Sequence, residues 1–173
     1  MFVCVAGKND ISVEILEYLV ECEAYRYEIC VVCNKNETGK DSWQKSLRYH
    51  AKKMGIREYA LQEIYNMQQV LFLSLEFDQI IRPQKFADAR LYNIHFSLLP
   101  HYRGMYTAVL PILYGETRSG VTLHRIDRGI DTGDIIAQEV IEIGEEDTSH
   151  DLYLKCRNLR RGASSAPFLR RSS

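Results

Sequence analysis

Asn93 and His95 stand two residues apart near the end of the apolar run RLYNIHF at residues 90–96. In a strand, residues i and i+2 project from the same face, so this spacing puts an amide beside an imidazole. An imidazole exchanges a proton near neutral pH, and an amide N–H can hold a developing oxyanion. Some 36 residues after His95 comes an acidic turn, Asp131-Thr132-Gly133-Asp134. A carboxylate placed there could orient the imidazole and stabilise its cation. Between the two lie Ser97-Leu98-Leu99-Pro100, a stiff exit loop, and Arg103-Gly104. The chemistry these types suit is proton transfer coupled to oxyanion stabilisation. Pattern alone also permits, and favours, a plainer reading: a satisfied polar residue at a strand end and an ordinary Asp-x-Gly turn.

The surrounding elements must bring these residues together. Residues 2–6 (FVCVA) form an apolar run ending at Gly7 and predict a buried strand. Residues 9–21 place Ile11, Ile15, Tyr18 and Leu19 at helical spacing, with Asn9 or Asp10 as the N-cap. Residues 28–33 predict a second strand. Residues 41–54 predict a helix capped by Asp41 or Ser42 and closed by Gly55 as the glycine after its end. Residues 57–60 suggest a short strand, 69–75 a fourth and 90–96 a fifth. Strands alternating with helical segments argue for a Rossmann-like, doubly wound, mostly parallel α/β sheet, whose ligands bind at the carboxyl ends of its strands. Residues 106–114 look helical, with Pro111 inside breaking or kinking them. Residues 120–125 and 135–143 suit a hairpin around RIDRGIDTGD, and Thr148 or Ser149 caps a last helix through Cys156.

The composition excludes several classes. The chain has 173 residues and a formal charge of −1. Residues 157–173 (RNLRRGASSAPFLRRSS) hold five Arg and no acid, so residues 1–156 carry 17 Lys+Arg against 23 Asp+Glu, a net of −6. An acidic body is not a nucleic-acid footprint. No apolar stretch is long enough to cross a membrane, and MFVCVAGKND is not a signal sequence, so a cytoplasmic location is expected. Five Cys at irregular spacing do not read as a disulfide framework. Cys30-Val-Val-Cys33 falls in a buried run and reads as small core residues, with no metal site. The remaining histidines, His50, His101, His124 and His150, stand in no evident constellation. AGKND is not a dinucleotide-binding G-x-G-x-x-G.

The run NIHFSLLPHYRGMYTAVLPILYGETRSGVTLHRIDRGIDTGDIIAQ closely resembles the formyltransferases that use N10-formyltetrahydrofolate. The specific elements are N-x-H-x-S-L-L-P and the later D-x-G, and the likeness runs from about residue 2 to about residue 156. The GKN turn, SLEFDQIIRP and RGMYT look most like the sugar-nucleotide branch, whose members formylate the amine of a dTDP-linked 4-amino-4,6-dideoxyhexose for surface polysaccharide. The resemblance implies a catalytic trio of Asn93, His95 and Asp131. In it, Asn93, alone or with the imidazolium of His95, holds the tetrahedral oxyanion, His95 takes the amine proton, and Asp131 supports His95.

It also implies a folate cosubstrate, with no metal, between Phe77, Asp78, Ile80 and Ile81 on one side and Asp131, Thr132, Gly133 and Asp134 on the other. The dTDP-amino sugar would meet Lys8, Asn9, Tyr102, Arg103, Met105 and Tyr106. For Phe77, Ile80 and Ile81 plain core packing is the competing role. For Arg103 it is a solvated charge, and for Lys8 and Asn9 helix capping; Trp43 could be core or border the sugar. Past Cys156 the likeness fails. The expectation is a catalytic domain over 1–156 and a basic, disordered or non-family tail over 157–173, as in a truncated chain. The resemblance implies a homodimer, with the expectation that a chain truncated after its catalytic domain lacks the dimerising portion. The alternatives are an inactive remnant that still binds ligand, or a glycinamide ribonucleotide or methionyl-tRNA formyltransferase.

Overall fold

The computed structural model describes residues 1–22 and 27–158. Seven strands form one sheet: β1 Phe2–Gly7, β2 Glu28–Cys33, β3 Arg57–Glu58, β4 Val70–Leu75, β5 Ala89–His95, β6 Arg118–Arg125 and β7 Ile135–Glu142. Their spatial order is β3-β2-β1-β4-β5-β6-β7. The first five pair in parallel, and β6 and β7 are antiparallel additions. The expected mostly parallel, doubly wound sheet is therefore present. The strand order reverses between β1 and β4, the crevice where such sheets bind ligands.

The apolar runs are continuous because both faces of the parallel strands are covered. Odd and even positions feed separate cores. Val3, Val5, Leu71, Leu73 and Leu75 pack with α1 (Asn9–Glu21), α2 (Leu47–Lys53) and α5 (Ser149–Asn158) through Leu16, Leu47 and Leu152. Cys4, Ala6, Cys30, Val32 and Phe72 pack on the other face with Leu61 and Ile64 of α3 (Leu61–Tyr65). Burying each of the Val, Leu, Ile and Phe side chains among them stabilises the fold by about 1.5–3 kcal/mol.

Several sequence expectations shift. The helix expected over 41–54 starts only at Leu47. Ser46 is its N-cap, accepting from the Tyr49 N–H at 3.1 Å, while Asp41 accepts from the Ser46 N–H at 2.7 Å and holds the preceding turn. Gly55, at φ +70°, ends the helix as expected. The helix expected over 106–114 shrinks to α4 (Leu110–Leu113), because Pro111 lacks an N–H and fits only the first turn. Neither Asn9 nor Asp10 caps α1: Lys8 is the N-cap and makes no side-chain cap bond. The last helix runs past Cys156 to Asn158. Arg157, expected to open the tail, is ion-paired with Asp10 at the start of α1. Residues 159–173 of the expected tail lie outside the described residues.

Candidate active site

β5 carries Asn93 and His95, and its antiparallel register with β6 sets Asn93 opposite His124 and His95 opposite Thr122. The β6–β7 loop folds back over this face. Asp131, in left-handed backbone at φ +52°, reaches three of these four side chains, Asn93, His95 and His124. Its Oδ2 lies 3.5 Å from His95 Nδ1, and its Oδ1 accepts from Asn93 Nδ2 at 3.3 Å and lies 3.4 Å from His124 Nε2. The Gly104 N–H donates to Oδ2 at 2.8 Å. The expected trio is thus brought together, and His124 joins it.

Hydrogen-bond partners fix the tautomers. His95 Nε2 lies 2.8 Å from the Tyr102 carbonyl, which can only accept, so Nε2 carries the proton. The basic atom of neutral His95 is then Nδ1, the nitrogen facing Asp131. Likewise His124 donates from Nδ1 to the Arg125 carbonyl at 2.8 Å, leaving Nε2 as an acceptor for Asn93 Nδ2 at 3.1 Å. A lone pair and a carboxylate both demand the NH2 end of Asn93, which sets its amide orientation. Burial pushes the Asp131 carboxyl up, but a bond from His124 when its ring is cationic and Nε2 carries a proton, the positive charge of His95 and the Gly104 N–H outweigh it and hold the carboxyl below its ordinary value. His95 is 7% exposed and His124 2%, so these contacts act with little solvent between them.

A second layer stiffens the loop that leaves β5. Thr122 Oγ1 donates to the Ser97 carbonyl at 2.6 Å and accepts from the Leu99 N–H. Gln138 Nε2 donates to the Leu99 carbonyl and to Thr122 Oγ1. Ser97 Oγ donates to the His101 carbonyl. This network leads the chain to Tyr102, whose carbonyl meets His95.

The expected ligand-binding residues fare unevenly. Ile81 is buried in the second core, and Phe77 is half-buried with its ring 6.2 Å from that of Phe72, so the packing role applies to both. Ile80 is 71% exposed. Asp78 accepts from the Lys35 N–H, and its own N–H donates to Asn34 Oδ1. Asn34 is fully buried and also donates to the Glu76 carbonyl, so one side chain from the end of β2 pins the 76–78 loop. Thr132 donates to Asp127 at 2.6 Å, Gly133 presses against the Arg125 carbonyl, and the Asp134 carbonyl accepts from the Arg125 N–H. These bonds shape the turn that presents Asp131.

Arg103, Met105 and Tyr106 are exposed at the rim, and Lys8 is half-buried. Tyr102 sends its hydroxyl to Glu116 at 2.7 Å, a bond that pushes the phenol up to about 12. Asn9 donates to Glu76. Trp43 is exposed, with its ring 6.0 Å from His150 and 6.4 Å from Tyr153, and is not core. His124, Asn34 and Glu76 were not singled out by the sequence. Only the His124 position in an alternating strand, two residues past Thr122, hinted at a role.

The formyl transferase family matches residues 29–164. An N-formyltransferase from Helicobacter canadensis, solved as a complex with folinic acid and dTDP-3-aminofucose, superposes with a TM-score of 0.87 at 46% identity, over 91% of this chain and 59% of that one. WlaRD, a sugar 3N-formyl transferase solved in the presence of dTDP and 5-N-formyl-THF, gives 0.88 at 48% identity over 94% and 60%. A methionyl-tRNA formyltransferase from Francisella tularensis subsp. mediasiatica is 31% identical over 89% of this chain and 53% of its own length. The chain spans about half the length of the curated relatives it matches.

Proposed function

The chain belongs to the formyl transferase family, and we propose that it transfers a formyl group from N10-formyltetrahydrofolate to the amine of a dTDP-linked amino sugar. The observation that carries this is the closed contact of Asp131 with Asn93 and His95 at 3.3 and 3.5 Å, beneath the loop carrying Gly104. A side chain at Gly104 would meet nothing within 4 Å, so this loop position is open on that side. The relatives at 46% and 48% identity, with their folates and dTDP compounds, support this acceptor class over tRNA. They also favour an amine at sugar position 3 over the position 4 expected from the sequence.

Ile80 and the backbone of the Asn34-pinned loop would hold the pterin on one side, and the 131–134 turn on the other. Bound there, the folate supplies an activated formyl carbon and, in N10, a leaving nitrogen that takes up a proton. The amine nitrogen would bond to that carbon while the carbonyl pair moves to oxygen, and collapse of the resulting oxyanion would then break the bond to N10. Asn93 exchanges its long contact with Asp131 for a bond to the developing oxyanion. His95 Nδ1 receives the proton lost by the amine and passes it toward N10, while Asp131 stabilises the transient cation. Lys8, Arg103, Met105 and Tyr106 line the expected approach of the nucleotide sugar, with the Arg103 fork suited to the pyrophosphate.

The test is formyl transfer by the 173-residue chain to a panel of dTDP-linked 3-amino and 4-amino dideoxysugars. His95→Ala should lower the rate by about 10²–10⁴-fold and Asn93→Ala by about 10²–10³-fold. Undiminished transfer by either variant overturns the assignment. Folate binding without turnover by the unaltered chain would favour an inactive remnant.

A further inference from the structure

One short loop touches the His95–Asp131 pair on both sides. The Tyr102 carbonyl meets His95 Nε2 at 2.8 Å, and the Gly104 N–H donates to Asp131 Oδ2 at 2.8 Å. The imidazole thus lies between two acceptors, this carbonyl on Nε2 and Asp131 Oδ2 at 3.5 Å from Nδ1. A neutral ring has one proton to give, and the nearer carbonyl takes it. If that carbonyl withdrew, the carboxylate would draw the proton to Nδ1. The basic lone pair would then sit on Nε2, facing away from Asp131.

What keeps the carbonyl in place comes from outside the loop. Tyr102 has left-handed backbone at φ +55°, a region that a residue with a Cβ enters only at an energetic cost and holds when its surroundings over-determine it. Its side chain supplies the hold. The hydroxyl donates to Glu116 Oε1 at 2.7 Å, and the ring stacks on Tyr114 with centroids 6.4 Å apart and planes at 20°. Both partners stand just past α4, where the backbone is fixed. The Tyr114 N–H donates to the Leu110 carbonyl at 3.0 Å and the Glu116 N–H to the Pro111 carbonyl at 2.9 Å. The Thr117 carbonyl accepts from the Ile143 N–H at the end of β7. A phenol donating to a carboxylate makes a charge-assisted bond. It also commits the one hydrogen of that hydroxyl, so Tyr102 has none left to donate to a sugar nucleotide.

We propose that Glu116 is a positioning residue: by holding the Tyr102 hydroxyl it keeps the Tyr102 carbonyl on His95 Nε2, and so keeps the basic Nδ1 of His95 toward Asp131. What the positioned imidazole then does rests on the formyl-transfer reading above. Tyr102 thereby moves from the expected sugar-nucleotide contacts to the support of His95.

Two readouts on the 173-residue chain test this, with Glu116→Ala, Glu116→Gln, Tyr102→Phe and the double variant Tyr102→Phe/Glu116→Ala. The first is ring-nitrogen NMR of isotope-labelled histidine without ligand, at a pH where the ring is neutral, with the His95 signals identified by their loss in His95→Gln. The unaltered chain should carry the His95 proton on Nε2. Glu116→Ala and Tyr102→Phe should move part of that population to Nδ1, and Glu116→Gln, which keeps an acceptor for the hydroxyl, should move less. An unchanged tautomer in the Ala and Phe variants overturns the proposal, whatever their melting temperatures. The second readout is formyl transfer. Glu116→Ala and Tyr102→Phe should each lower kcat about three- to tenfold with KM for the sugar nucleotide little changed. Glu116→Gln should recover most of the rate, and the double variant should be no slower than either single one. Losses that multiply in the double variant, or a raised KM at unchanged kcat, overturn the proposal and put Tyr102 on the substrate. If the unaltered chain formylates no dTDP-linked amino sugar, the amino-sugar reading fails, and the tautomer by itself decides for or against Glu116.

Discussion

Asn93 Nδ2 lies 3.1 Å from His124 Nε2, across the β5–β6 ladder. The contact makes His124 the residue that sets the amide of Asn93, and with it the direction in which an oxyanion donor can point. His124→Leu fills much of the same buried space but offers no lone pair. The expected outcome is a kcat for formyl transfer lowered about tenfold or more at little change in KM, since the oxyanion appears only in the transition state. His124→Gln, which restores an acceptor, should recover part of the loss. Equal rates for the Leu variant and the unaltered chain would remove His124 from this role.

Asp131 predicts an acid-dependent stability. A carboxyl held below its ordinary value in the fold takes up protons more readily when unfolded. Its contribution is therefore fully present above the unfolded value of about 3.9 and is lost as pH falls through the lower folded one. Thermal melts from about pH 7 to about pH 3 should show the unaltered chain losing stability below about pH 4 more steeply than Asp131→Asn. Parallel curves would mean that the two histidines and the Gly104 N–H do not hold the carboxylate.

Gly133 has no room for a side chain. A Cβ there would sit 2.0 Å from the Arg125 carbonyl oxygen, a backbone atom that is itself bonded to His124 Nδ1. Gly133→Ala should destabilise the chain by about 1–3 kcal/mol. It should also lower formyl transfer by loosening the turn that carries Asp131. Chemical denaturation and the transfer assay read the two effects separately.

The thiols give a compositional check on the fold. Cys4, Cys30, Cys33 and Cys156 are buried and Cys22 is exposed. Burial, followed by the nearby Glu58, pushes the Cys33 thiol up to about 12, and burial pushes Cys156 to about 12. A thiol reagent near neutral pH should modify one cysteine quickly in the native chain and all five after denaturation. Cys22→Ser should abolish the fast phase. A fast second thiol at Cys30 or Cys33 would contradict their place in the sheet.

Much of this fold is legible in the sequence because its elements are written locally. FVCVA, ICVVC and VLFL are unbroken apolar runs, as strands covered on both faces tend to be, and they lie in β1, β2 and β4. The helix starts were less legible. Asp41, Ser42 and Ser46 are all good N-cap types; the first helical turn forms at Leu47 because Asp41 spends its carboxylate on the Ser46 N–H. Asn9 looks like a cap, but its amide is drawn to Glu76, 67 residues away.

The sequence by itself determined the chemistry available: an amide and an imidazole two residues apart on one strand, and an Asp-x-Gly turn farther on. Strand alternation is a property of neighbouring residues, so that pairing survived into the structure unchanged. Only the tertiary structure decided what surrounds them. His124 enters because β6 runs antiparallel to β5 in one particular register, and a one-residue slip would turn it to the other face. Contacts of 3.1–3.5 Å among Asn93, His95, His124 and Asp131 join three separate segments of chain. No local pattern specifies such distances; they follow from how the sheet pairs and how the β6–β7 loop folds back across it.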